Sequence, residues 1–128
     1  PAKRRVLKDY KKFQTDAAGL GLIARPNSKS MFKWECIIFG PDDTDWEGGV
    51  FKLIMEFSEE YPTKPPNVKF ITKMFHPNIY NTGAICLDIL QKEWSAVYDA
   101  MAILQSIQTL LSDPNCKSPA NSEAANLF

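Results

Sequence analysis

Apolar residues recur along this chain at two distinct periods, and the points where the period changes divide it into elements. Val6, Tyr10 and Phe13 stand at i, i+4 and i+7, one face of an amphipathic first helix whose wet side takes the basic residues. Gly19 and Gly21 follow its end, and Pro26-Asn27 predicts a turn. Three runs then alternate with period two. Phe32, Trp34, Cys36 and Ile38 alternate with Lys33 and Glu35; Phe51, Leu53, Met55 and Phe57 alternate with Lys52 and Glu56; Val68 and Phe70 flank Lys69. Loops short enough for a meander, punctuated by Gly40-Pro41 and Gly48-Gly49, predict an antiparallel sheet with the first helix on one face.

Beyond Phe70 no period is sustained until Trp94, and long irregular segments inside compact domains usually serve function. Order resumes at Asp99, a helix N-cap by type, with Ile103, Leu104, Ile107, Leu110 and Leu111 at helical spacing. This second helix is expected in the core. Asp113-Pro114 ends it, and Asn121-Ser122-Glu123 predicts a third helix, within which the chain stops at Leu127-Phe128. The whole reads as one α+β domain over 1–128.

Composition narrows the chemistry. A chain of 128 residues that is 45% hydrophobic can fill one core. Fifteen basic and fifteen acidic residues cancel, so no overall field draws it to nucleic acid or an anionic membrane. Only a local patch stands out, at Lys3, Arg4, Arg5, Lys8, Lys11 and Lys12, which reads as a solvated helix face or a docking surface. No secretory signal is evident, and no apolar run approaches the roughly 20 residues of a membrane span, so a soluble, intracellular protein is expected. Three cysteines with no Cys-x-x-Cys pair argue against a disulfide framework and a zinc site; each is read as a thiol. One histidine leaves little for a metal centre or a base-assisted hydrolase, and no cofactor is expected.

The irregular segment contains Phe75-His76-Pro77-Asn78-Ile79-Tyr80-Asn81-Thr82-Gly83-Ala84-Ile85-Cys86-Leu87-Asp88. With Tyr61-Pro62, Pro65-Pro66, Trp94-Ser95 and Asp113-Pro114-Asn115, in that order and spacing, it resembles the ubiquitin-conjugating enzymes over essentially the whole chain. The resemblance implies that family's fold, with its C-terminal helical part cut short at Phe128. It implies a transferase in an ATP-dependent pathway that accepts ubiquitin from an activating enzyme as a thioester on Cys86. The ubiquitin then passes, with a RING-type ubiquitin ligase, to a substrate lysine. The runs 86–91 and 118–122 look most like the class that modifies histones and replication proteins in DNA-damage tolerance and repair, in cytoplasm and nucleus.

Residue by residue, Cys86 matches the accepting cysteine, whose thioester is reactive toward amines yet persists in water. Asn78 matches the asparagine that steadies the oxyanion formed as lysine attacks, and a turn role after Pro77 is compatible with this. His76, held before Pro77, resembles a structural histidine. Tyr80 matches an aromatic that desolvates the incoming lysine. Its acidic partner in several relatives is Ser118 here, where phosphorylation before Pro119 would restore negative charge. Asp88 is expected to contact the carried ubiquitin or to be a solvated loop acid. Cys36 reads as packing, and Cys116 as a loop thiol without an assigned partner.

By resemblance, the first helix with Arg4, Arg5 and Lys8 docks the activating enzyme. Together with loops 61–66 and 94–97, carrying Pro62, Trp94, Ser95 and Ala96, it docks the ligase. Ala96 departs from the family's usual proline, which leaves ligase identity open. The sheet face carrying Lys33, Glu35, Ile37, Lys52 and Ile54 is a candidate site for a second, noncovalent ubiquitin. Alternatives are an inactive scaffold of the same fold, disfavoured because Cys86 and Asn78 are both present, and a conjugating enzyme for another ubiquitin-like modifier.

Overall fold

The computed structural model describes residues 1–113. It comprises α1 (Ala2–Asp16), β1 (Leu22–Asn27), β2 (Ser30–Phe39), β3 (Val50–Glu56), β4 (Asn67–Phe70), a 3-10 turn at Asp88–Leu90, and α2 (Ala100–Ser112). The strands pair antiparallel in chain order, the meander expected of an α+β domain. The helix expected from Asn121, together with Cys116 and Ser118, lies outside the described residues.

One strand escapes the sequence pattern. Pro26-Asn27, read as a turn, instead closes β1, and the chain reverses at Ser28-Lys29, where Asn27 Oδ1 accepts the Lys29 amide at 2.8 Å. Proline is tolerated because β1 is an edge strand, and the register with β2 slips just there, between Pro26 and Asn27.

The alternation in β2 and β3 sets one face inward. Trp34 and Cys36 lie across from Met55 and Leu53, and all four are buried. Val6 and Phe13 of α1 and Ile103, Leu104, Ile107 and Leu111 of α2 cover this face. Fully burying each such side chain contributes about 1.5–3 kcal/mol. Trp34 is the hub, with edge-to-face contacts to Tyr10, Phe13 and Phe57, while its indole N–H donates to Met31 O at 2.9 Å. Cys36 is packing, as its place in the pattern implies, and burial pushes its thiol up to about 12.

Polar ties fix the helices. Asp99 caps α2 by accepting the Ala102 amide at 2.8 Å, and it pairs with Lys12 of α1 at 2.7 Å. The buried carboxylate of Asp9 accepts from three parts of the chain: Arg5 Nε at 2.8 Å, the Tyr61 hydroxyl, and the Ala100 amide at 3.1 Å. The Arg5 guanidinium reaches across to the 94–98 loop, donating to Ala96 O and Tyr98 O, each at 2.7 Å, and lies over the Tyr61 ring. This corrects the assignment of every basic residue of α1 to its wet side: Arg4 and Lys8 are exposed, whereas Arg5 is turned into the molecule.

A second tie connects α2 to the irregular segment. His76 is fully buried; its Nδ1 accepts the Asn78 amide at 3.0 Å, so Nε2 carries the proton it donates to Leu110 O at 2.8 Å. Burial pushes its pKa below the ordinary 6.5, and the Leu110 hydrogen bond opposes this only in part.

Two outcomes follow. Asp9→Ala leaves the Arg5 cation and two donors without their acceptor, and is expected to lower stability by about 3 kcal/mol or more in urea unfolding. A loss below about 1 kcal/mol would mean that the carboxylate is not holding these segments together. The depressed His76 pKa sets a pH dependence of definite sign. Below 6.5 the unfolded chain binds a proton that the folded chain refuses, so stability is full above 6.5 and falls as pH drops toward the lower folded value. Between pH 7 and 5.5 the parent should lose stability more steeply than His76→Gln, by up to about 1.4 kcal/mol per pH unit. Parallel curves for the two proteins would rule this out.

Candidate active site

Order inside the irregular segment comes from a hairpin that side-chain periodicity hardly marks. Ile79 pairs with Ile85, the Tyr80 amide donates to Ala84 O at 2.8 Å, and the Gly83 amide closes the turn on Tyr80 O at 2.8 Å. Gly83 has φ +93°, and a Cβ there would stand 2.2 Å from Phe70 O, so glycine is required twice over. That close approach matters because the Phe70 amide donates to Gly83 O at 2.9 Å and Lys69 bridges Ala84. The hairpin is thereby attached to the free side of β4.

Within it, the Cys86 amide donates to Asn78 O at 2.7 Å, which places the two residues opposite each other. Ile79 and Ile85 are buried on one face of the hairpin, so alternation puts Asn78, Tyr80, Ala84 and Cys86 on the other. The residues on that face differ in exposure. Cys86 is half-buried and Tyr80 is 46% exposed, while Asn78 is wholly covered. Asn78 is also a structural joint, with its amide on His76 and its carbonyl on Cys86. Next to the thiol, Asp88 opens the 3-10 turn and is exposed, its carbonyl accepting the Gln91 and Glu93 amides at 3.0 Å each. Pro77 is buried beside His76.

A half-buried cysteine on a braced hairpin, with a carboxamide residue across from it, suits acyl carriage and transfer. No group of three or more metal-ligating side chains gathers among the described residues, and no helix there is long and apolar enough to cross a membrane.

Two loops stand together, and the first of them shares a cleft with the hairpin, lined by Pro65, Pro66, Ala84 and Ile85. The Trp94 indole N–H donates to Pro62 O at 3.0 Å, and its ring packs near Tyr61 and Tyr98. Ser95 is half-buried and accepts the Val97 amide at 3.3 Å, whereas Ala96 is exposed and Val97 is 83% exposed, the most exposed large apolar residue described. A separate basic cleft on α1 is lined by Pro1, Lys3, Arg4, Leu7, Lys8 and Lys11. The structure thus joins Asn78, Tyr80 and Cys86 in one site with His76 and Pro77 beneath it, and groups Pro62, Trp94, Ser95 and Ala96 in another; Ser118 is not among the described residues. Sequence reasoning missed Asp9, and it named Tyr61 only within a motif and a docking loop, not as a partner of that carboxylate. The signal for Asp9 was an acid within a basic helix, four residues after Arg5.

Comparison with known proteins agrees with this fold. Residues 5–128 match the family model described as ubiquitin-conjugating enzyme. The chain is 55% identical over 128 residues to "Ubiquitin-conjugating enzyme E2 3" of Arabidopsis thaliana, covering 100% of this chain and 85% of that protein. It is 56% identical to "Ubiquitin-conjugating enzyme E2 2" of Debaryomyces hansenii, covering 100% of this chain and 76% of that protein. "Ubiquitin-conjugating enzyme E2 2" of Aspergillus fumigatus is 55% identical over 127 residues, 99% of this chain and 83% of that protein. Family match, relatives and fold agree, and the chain belongs to the ubiquitin-conjugating enzymes, thioester-forming transferases whose partners are ubiquitin, its activating enzyme and its ligases.

Proposed function

We propose that Cys86 is the residue on which this transferase carries ubiquitin, and that Asn78, Tyr80 and Asp88 act around it. The observation that carries the reading is the 2.7 Å hydrogen bond from the Cys86 amide to Asn78 O, which seats a half-buried cysteine opposite the carboxamide residue.

The chemistry is an exchange of acyl bonds. A neutral lysine amine attacks the thioester carbonyl, the C–N bond forms, and the carbonyl oxygen takes the negative charge. Collapse expels the Cys86 thiolate, and the extra amine proton leaves to solvent or a nearby acceptor. A carboxamide N–H aimed at the oxyanion lowers this barrier by about 3 kcal/mol. Tyr80, half exposed on the same face, strips water from the incoming ammonium, and Asp88 contacts the carried ubiquitin. Ser118 completes the acceptor side when phosphorylated, so Ser118→Asp should discharge to free lysine faster than the parent.

The exposed basic face of α1 with Arg4 and Lys8 is the docking surface for the activating enzyme, and the crest formed by Pro62, Trp94, Ser95 and Ala96 receives a RING-type ligase. Histone and replication-protein lysines are the substrates of this reading, with a role in DNA repair in cytoplasm and nucleus, supported by the runs 86–91 and 118–122. Loss of single ubiquitin adducts on nucleosomal histones in a matched ligase assay would remove that substrate class. The outer sheet face with Ile37, Lys52 and Ile54 takes a second ubiquitin noncovalently, a point that titration with labelled ubiquitin decides.

The main test separates loading from discharge. With ATP, activating enzyme and ubiquitin, the parent should gain one ubiquitin in a thiol-sensitive band that Cys86→Ala lacks. Asn78→Ala retains both of the backbone hydrogen bonds described, so it should load normally and discharge to lysine about 10²-fold more slowly. Equal impairment of loading and discharge would reduce Asn78 to its structural part.

A further inference from the structure

The crest at 94–98 is anchored at its base by Trp94, whose indole N–H donates to Pro62 O and whose ring packs near Tyr61 and Tyr98. Its internal hydrogen bonds are short-range, from the Tyr98 amide to Ser95 O at 3.1 Å and from the Val97 amide to Ser95 Oγ at 3.3 Å. At its summit Val97 projects into solvent, and the Ala96 amide donates to no described residue. Above that base, the carbonyls of the summit are tied to the body of the protein by one side chain from the other end of the sequence. Arg5 donates Nη1 to Ala96 O and Nη2 to Tyr98 O, both at 2.7 Å, while Nε is clamped on Asp9 at 2.8 Å.

This arrangement uses what a guanidinium alone offers. Its planar fork holds two carbonyls two residues apart and a carboxylate behind, whereas an ammonium is a point charge that cannot span all three. The charge also makes both carbonyl contacts strong ones. Asp9 itself is pinned by Tyr61 and by the first amide of α2, so Arg5 starts from a rigid base. Loop 61–66 is set by the same base and carries Pro62, whose carbonyl receives Trp94.

We infer that Arg5 is the positioning residue of the ligase-docking crest: it does not meet the ligase as part of the basic face of α1, but presents Ala96 and Val97 in the shape the ligase reads. The inference rests on the ligase-docking reading proposed above. An ordered crest meets its partner without first being frozen, and a released crest must be ordered at the moment of binding, which weakens affinity.

The experiment uses the full chain, Arg5→Lys, Ala96→Pro and the double variant. Proline suits position 96 because that amide makes no hydrogen bond with the described residues, and it stiffens the loop by an independent route. Amide hydrogen exchange at Tyr98 reads the crest without any partner. It should be at least about tenfold faster in Arg5→Lys and return toward the parent rate in the double variant. Titration with a set of isolated RING domains should find one that binds the parent, and that one should bind Arg5→Lys about tenfold more weakly, an effect largely restored by Ala96→Pro. A merely structural loss, through Asp9, would lower Tm in both Arg5→Lys proteins and would not be rescued by a proline in the loop. Unchanged exchange at Tyr98 overturns the inference. Faster exchange with unchanged affinity also overturns it while leaving the docking reading intact. A parent that binds no RING domain overturns the docking reading itself, and this inference with it.

Discussion

The Asp9 carboxylate is the point on which the arrangement of this molecule depends. It sits in the interior and accepts from α1, from Tyr61 after the sheet strand β3, and from the first amide of α2. A buried charge of this kind is costly when unpartnered, and three donors of which one is a cation remove that cost only in one geometry. The helix, the loop and the second helix therefore have a single mutual placement. Hydrophobic contact alone would leave room for sliding; the directional donors around one acceptor do not.

The second fixed point, His76, works by the same logic with a neutral ring. One nitrogen accepts and the other donates, and this single tautomer joins the start of the hairpin to the C-terminal turn of α2. The Asp9 network and the His76 ring hold α2 at opposite ends. The cysteine-bearing hairpin and the 94–98 loop consequently occupy set positions relative to each other through that helix. In a transferase that meets several partners in turn, such constancy lets each partner recognise the same outline.

Much of this was readable in the sequence, for reasons that vary by element. The strands β2 and β3 announced themselves because burial of one face enforces strict alternation, and α2 because Asp99 and five apolar residues follow the helical period. By contrast, β1 stayed hidden behind Pro26, whose turn preference is overridden at a sheet edge. The hairpin was invisible to periodicity because backbone hydrogen bonds, not alternating side chains, define it; only the motif resemblance marked Asn78 and Cys86 as neighbours. Arg5 shows the opposite failure. Charge patterning cannot distinguish a cation facing water from one turned inward, since that depends on carbonyls ninety-odd positions away.

The attachment of the hairpin to β4 has a consequence for how the protein keeps to itself. A terminal strand with unpaired amides and carbonyls is a template on which other chains can assemble, and folds usually blunt it with charges or a covering segment. Here the covering segment is the hairpin proposed to carry the catalytic cysteine: Gly83 and Ala84 occupy part of the backbone of Phe70 and Lys69. Solubility and catalysis are thereby coupled in one stretch of chain. A lesion that loosened the hairpin would do more than silence the enzyme, because it would also unmask an adhesive border.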